Sequence, residues 1–360
     1  MKPCLADSLD QLLFMRLREN RWSVALERLL RDAAPGGILF SAPLPASAEL
    51  TSEFLCNTAR AIPHPPFLAI REEGGSENPL GRFFPPLPSA RADAQKSLSA
   101  ITRLGELVGE ALSLLGFNTN FTPLLDLATP FTEKSFGGRT LGAIPKQVSE
   151  RGDAFVRGLR HHKILAVGKH FPGLGSVPSE NSRDLAVSGK PMAALWREDL
   201  LPFRQLLPNL PMVLISSAAY KAYDFDRPRP ACLSPLVVNG LLRVKLDYRG
   251  LALAYDLESE AVRGTLDLGE AAVQSLNAGC DMLIVDEGKP LEQIHRALAA
   301  GLASGKLIRE RVEQSLERIG TVKRRLPRRP GKLSRRTLEQ VVQRFENLGS
   351  EFRQEELRIA

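Results

Sequence analysis

Seven short apolar runs recur along the chain: Gly37-Ile38-Leu39-Phe40, Phe67-Leu68-Ala69-Ile70, Phe121-Thr122-Pro123-Leu124-Leu125, Ile164-Leu165-Ala166-Val167, Met212-Val213-Leu214-Ile215, Leu251-Ala252-Leu253-Ala254 and Met282-Leu283-Ile284-Val285. They do not alternate apolar with polar residues, which is how strands of a parallel sheet read when both faces are covered. Between them lie amphipathic stretches with helical spacing, at 94–114, 148–160 and 290–304. Strand and helix in alternation predict an α/β fold, either a doubly wound sheet or a barrel.

The residues that follow the runs decide between the two. Arg71, Glu72 and Glu73 follow the second run, Asp126 the third, Lys169 and His170 the fourth, Ser216 and Ser217 the fifth, Tyr255 and Asp256 the sixth, Asp286 and Glu287 the seventh. A single polar strand end carries no information, but six in succession describe the face where a TIM barrel keeps its active site. The fold expected is therefore a TIM-type (β/α)8 barrel. Seven strands are one short of closure, so an irregular closure is allowed for. The barrel is expected over residues 1–325, followed by a basic linker and C-terminal helix over 326–360. In that tail Pro327 and Pro330 interrupt one helix, and a second runs from an N-cap at Ser334 to a stop at Gly349.

A hydrophobic fraction of 43% and a charged fraction of 25% exclude fibrous and disordered classes. No uncharged apolar stretch reaches the roughly 18 residues of a membrane span. The first twenty residues carry charges inside their apolar part and no small-residue cleavage site, so no secretory signal is read. Cys4, Cys56, Cys232 and Cys280 are far apart, which fits reduced thiols and a cytoplasmic protein. The net charge of +7 resides wholly in the segment from Lys306 onward. Its clusters, Lys323 to Arg325, Arg328-Arg329 and Arg335-Arg336, have few aromatics among them. They read as a solvated helix end, and no nucleic acid partner is expected. His161-His162 are adjacent on a helix and do not converge on a metal. No dinucleotide, P-loop, zinc-protease or EF-hand motif occurs, so no cofactor and no metal are expected.

The most specific string is Lys169-His170-Phe171-Pro172-Gly173-Leu174-Gly175, directly after a strand. It resembles the K-H-F-P-G-H-G signature of family 3 glycoside hydrolases of the bacterial β-N-acetylhexosaminidase type. Glu73-Gly74-Gly75, Phe121 to Asp126, Pro230 to Pro235, Asp247 to Leu257 and Ala278 to Asp281 are similar to other strings of that family, in the same order. The resemblance spans about residues 35 to 325. It implies a TIM barrel, a β-N-acetylglucosaminyl-type carbohydrate ligand, a monomer, and a retaining mechanism in which an Asp attacks and a His paired with an Asp moves the proton.

Residue by residue, the resemblance is incomplete. Tyr255 stands where the family has its attacking Asp, and Ser182 where it has its His. A phenol with a pKa of about 10 is a poor nucleophile, and a hydroxyl does not protonate a leaving group. Asp256 and Glu180 are the remaining carboxylates that a displaced mechanism would use. Asp256, one residue on in a strand, is expected to point to the opposite face from Tyr255. Leu174 and Ser217 replace further histidines, and Arg71 replaces an Asp that holds sugar hydroxyls. For sugar binding the resemblance implies Arg82, Lys134 in place of an Arg, and the matching pair Lys169 and His170. The expectation is a glycosidase-like barrel with weak or no hydrolysis. The alternatives are a non-catalytic sugar-binding or scaffold barrel, and an active glycosidase using Asp256 and Glu180.

Overall fold

The computed structural model describes residues 5–93, 96–178, 185–255, 257–264, 266–327 and 333–359. Eight parallel strands close into a barrel: β1 (Leu13–Leu17), β2 (Gly37–Phe40), β3 (Phe67–Ile70), β4 (Thr119–Asn120), β5 (Leu165–Phe171), β6 (Met212–Ile215), β7 (Leu251–Ala254) and β8 (Met282–Asp286). Each pairs with its neighbours in chain order, and β8 closes on β1 with Phe14 opposite Ile284 and Arg16 opposite Asp286. The closure is complete, without the irregularity that a count of seven strands allowed.

The missing strand is β1. Its sequence, Leu-Phe-Met-Arg-Leu, is broken by a charge, so it does not read as an apolar run. Arg16 is tolerated there because Asp286 of β8 lies 2.6 Å away. The third run also differs from expectation. The regular strand is the short Thr119–Asn120, and the run Phe121 to Leu125, whose Pro123 has no N–H to give, joins β5 less regularly: the Thr122 and Pro123 carbonyls accept the Val167 and Lys169 N–H groups at 3.0 and 3.1 Å, and Leu125 donates to the Lys169 carbonyl at 2.7 Å. On the β3 side two buried amides extend the join. Asn118 Oδ1 accepts the Leu68 N–H at 2.8 Å, and Asn120 exchanges hydrogen bonds with the Glu72 backbone at 2.9 and 3.0 Å.

Helices α1 (Val24–Ala33), α2 (Ala48–Ala61), α3 (Leu98–Leu115), α4 (Pro145–His161), α5 (Leu200–Leu206), α6 (Leu268–Ala278) and α7 (Lys289–Ser304) follow successive strands, with the π-helical Leu236–Lys245 between β6 and β7. Ser23, Ser47 and Ser97 start α1, α2 and α3 by accepting the N–H three residues on. α8 (Arg309–Lys323) is pinned beneath the barrel by Asp281, a fully buried carboxylate that takes Arg318 at 3.0 Å, Ser315 at 3.1 Å, the Ala252 N–H at 2.9 Å, and Arg243. The Ala278 to Asp281 string thus serves the fold.

The tail helix α9 (Arg335–Ile359) runs through Gly349, where a stop was expected. A glycine inside a helix costs only about 1 kcal/mol, and anchors lie on both sides. Phe345 stacks on Phe84 at 5.0 Å, Arg344 reaches Glu110 at 2.5 Å, and Glu351 pairs with Arg103 at 2.8 Å. Arg328 and Arg329 lie outside the described residues.

Alternation along the strands fixes what faces the barrel axis. Phe14 stacks on Phe67 at 6.1 Å and meets Phe121 edge-on at 5.5 Å. Gly37, opposite Phe14, leaves the space that its ring fills. A Cβ there would come within 2.8 Å of that ring. Gly37→Val is expected to lower the unfolding free energy by about 1–3 kcal/mol, the usual cost of overpacking, as read from urea denaturation. Unchanged stability would show that the aromatic stack is not the fixed centre of the barrel.

Candidate active site at the barrel mouth

Register carries the inward face up to the carboxyl ends of the strands. Val167 pairs with Met212, Met212 with Leu251, and Leu253 with Met282. Lys169, Tyr255 and Asp286 continue these inward rows by steps of two, as Arg16 does from Phe14. Chemistry-bearing side chains thus crowd the mouth while aromatic and aliphatic ones fill the barrel below.

Glu73 is the hub. Its side chain is 3% exposed and takes the Arg139 fork at 2.7 and 3.0 Å while also binding the Lys169 ammonium. Lys169 is buried and donates to the Phe121 carbonyl at 2.5 Å. Burial alone would raise the Glu73 carboxyl, but Lys169 and Arg139 pull it down to about 2. Burial, assisted by Arg71 and Arg139, pushes Lys169 below the ordinary lysine range despite Glu73. The neighbouring Glu72 does a different task. It accepts the Gly74 and Leu80 N–H groups at 2.8 Å each and folds the loop back, and burial pushes its carboxyl up to about 8.

His170 is held from every side. Asp126 Oδ2 faces its Nδ1 at 2.8 Å and accepts its backbone N–H at 3.1 Å, while Oδ1 accepts the Leu174 N–H at 2.7 Å. Asp126 is fully buried, and its carboxylate accepts from the imidazole Nδ1–H. Phe136 stacks on the ring at 5.5 Å and the Tyr255 ring lies 5.9 Å away. Arg139 lies over Phe136 at 5.3 Å. The Lys169–His170 peptide is cis. On the β8–β1 side, Arg16 and Arg18 share Asp286, whose N–H goes to Glu258 Oε1 at 2.8 Å.

The structure brings Lys169, His170 and Tyr255 together. Arg82 is exposed, donates to the Pro45 carbonyl at 3.0 Å and lines a separate depression with Trp22 and Glu53. Lys134 is exposed on the short helix Pro130–Phe136, and the guanidinium that reaches Glu73 is that of Arg139, five residues on. Asp256, Glu180 and Ser182 lie outside the described residues. Sequence reasoning did not assign roles to Glu73, Asp126, Phe136 or Arg139. Glu73 and Asp126 stand at strand ends inside recognised strings, which was signal enough; Arg139 follows a Gly-Gly turn and gave none. Among the described residues, no group of three or more His, Cys, Asp or Glu is placed to hold a metal ion.

A buried ion pair that loses one partner leaves an uncompensated charge. Glu73→Gln is therefore expected to destabilise the protein by about 3–5 kcal/mol. Glu77→Gln, whose pair with Arg71 is 3.7 Å long and a third exposed, should cost under about 1 kcal/mol. Because the folded carboxyl titrates below its ordinary 4.5, its stabilisation is complete above that pH and is lost as the pH falls toward 2. Urea denaturation of both variants between pH 3 and 7 measures this. Equal effects would remove Glu73 from its central position.

Residues 5–322 match the Glycosyl hydrolase family 3 N terminal domain. A β-hexosaminidase of Methylococcus capsulatus is 30% identical over 72% of this chain and 77% of its own. A β-N-acetylglucosaminidase structure of that family from Paenibacillus sp. superposes with a TM-score of 0.84 at 26% identity, over 96% of this chain and 68% of the other. A fungal multi-domain β-N-acetylglucosaminidase gives 0.88 at 24% identity, a likeness of fold alone, and this chain spans 42% of it. Among the described residues no helix is long and apolar enough to cross a membrane. Closed barrel, retained Lys169-His170 string and family match agree: the chain belongs to glycosyl hydrolase family 3, as a β-hexosaminidase-like form of its N-terminal barrel domain.

Proposed function

We propose that the barrel mouth binds a carbohydrate of the β-N-acetylglucosaminyl type and hydrolyses it weakly or not at all. The observation that carries this reading is Tyr255. It continues the inward row of β7, with its ring beside His170, where the family resemblance expects the attacking carboxylate. A neutral phenol in that place forms no glycosyl ester, and Ser182 at the acid position supplies no proton near neutral pH. Binding is supported by what the mouth has kept. Lys169 is held by Glu73 and His170 by Asp126, so both donors are oriented before a ligand arrives. Lys169, His170 and Arg139 are the binding residues of this reading, with Arg82 and Lys134 peripheral to it.

The test is hydrolysis of a chromogenic β-N-acetylglucosaminide from pH 4 to 9, with calorimetric titration of N-acetylglucosamine. Turnover at least about 10³-fold below a relative with its nucleophile intact is expected, since nucleophile and acid losses leave only binding. Lys169→Ala should weaken N-acetylglucosamine binding at least about tenfold, the worth of a charged hydrogen bond. Turnover that disappears in Asp256→Asn or Glu180→Gln would instead mean that the catalytic groups have moved and the protein is an active glycosidase. Absence of any sugar binding would overturn the reading.

A further inference from the structure

Arg71 sits two residues beyond Ala69, an inward position of β3 in register with Leu39 and Thr119, and so at the rim of the mouth. The other arginines there are tightly held: Arg139 by Glu73 at 2.7 and 3.0 Å, Arg16 by Asp286 at 2.6 Å. Arg71 is not. Its pair with Glu77 is 3.7 Å long, and about a third of each side chain is open to solvent. Glu77 is fixed through its backbone, with its carbonyl accepting the Glu73 N–H at 2.8 Å and its N–H donating to Gly74 at 3.0 Å. It does not close on the guanidinium.

Glu73 is taken by Arg139 and Lys169, and the Arg71 guanidinium has the long pair with Glu77. Asp126 is engaged by His170 and the Leu174 N–H, and Tyr255 is a neutral phenol. On the β8–β1 side Arg16 and Arg18 both pair with Asp286, while Glu287 and Glu258 accept the Arg18 and Asp286 N–H groups. Two departures from the family strings point the same way: Arg71 and Tyr255 both stand where an Asp is expected. An Asp accepts hydrogen bonds from neutral sugar hydroxyls. An Arg in that place removes the acceptor and offers a planar fork of donors that matches a carboxylate or phosphate.

We infer that the ligand is an acidic sugar, one whose ring carries a carboxylate or a phosphate, and that Arg71 binds that group. This rests on the carbohydrate-binding reading above and specifies its ligand. Glu77 then acts as a displaceable partner that occupies the guanidinium until the anion arrives.

Calorimetric titration with N-acetylglucosamine, glucuronic acid and N-acetylglucosamine 6-phosphate tests it, at 20 and 200 mM salt. At least one acidic sugar should bind ten or more times tighter than the neutral one, with the preference reduced by salt. A preference for glucuronic acid identifies a carboxylate ligand, and a preference for the 6-phosphate a phosphate ligand. R71Q should abolish the preference while leaving N-acetylglucosamine affinity within twofold, R71K should restore part of it, and E77Q should strengthen acidic-sugar binding. N-acetylglucosamine binding with no acidic preference, or a preference that survives R71Q, overturns this inference and leaves the carbohydrate-binding reading standing. No binding by any of the three overturns both.

Discussion

Almost without water, three ionisable groups meet at the barrel mouth: the Glu73 carboxylate, the Lys169 ammonium and the Arg139 guanidinium. They come from the loop after β3, from β5, and from the turn after the helix Pro130–Phe136. Among the described residues, this contact joins three separate parts of the site. Removing the carboxylate would leave two cations facing each other in a buried place. Among the described residues, the Lys169 ammonium would then keep one partner, the Phe121 carbonyl oxygen. The loop after β3 is fixed from its other side by Glu72, which binds two backbone N–H groups rather than a cation. Adjacent carboxylates thus divide the work, one shaping the loop and one setting the charge of the mouth.

The contrast between the barrel's two ends follows from the same constraint. At the lower end Asp281 collects Arg243, Arg318, Ser315 and the Ala252 N–H, a network satisfied by the chain itself. At the mouth the pairings are complete for Arg16 and Arg139 and loose for Arg71. Structural strings of the family persist wherever they hold the fold: the Asp281 network, the Asp126–His170 pair, the Glu73–Lys169 pair. The departures, Arg71 and Tyr255, fall on side chains that face the mouth. A barrel that keeps its binding geometry while changing the groups that touch the reacting sugar is what the proposed reading requires.

Much of this was legible in the sequence, because parallel strands covered on both faces leave uninterrupted apolar runs and active-site residues follow them. β1 was not legible, since Arg16 breaks its run and its partner Asp286 lies 270 positions away in the chain. The start of β4 was not legible, because its regular pairing begins at the polar Thr119 and Asn120, ahead of the apolar run Phe121 to Leu125, whose proline interrupts the ladder. Within the site, Lys169, His170 and Tyr255 were read from strings and strand ends. Arg139 was not, since a turn conveys no direction to its side chain. Arg82 and Lys134 fit the family strings and lie exposed, each near the end of a short helical turn, where spacing gives the side chain's place and not its direction.

The central claim, a mouth that holds a sugar without attacking it, is tested most directly by intact-protein mass measurement. The protein would be incubated with an activated fluorinated N-acetylglucosaminide of the kind that accumulates as a glycosyl-enzyme ester. The account predicts an unchanged mass, with the reagent bound reversibly. A mass increase of one sugar unit, mapped by peptide fragmentation to Asp256 or Tyr255, would contradict it and show that a nucleophile still operates at the end of β7.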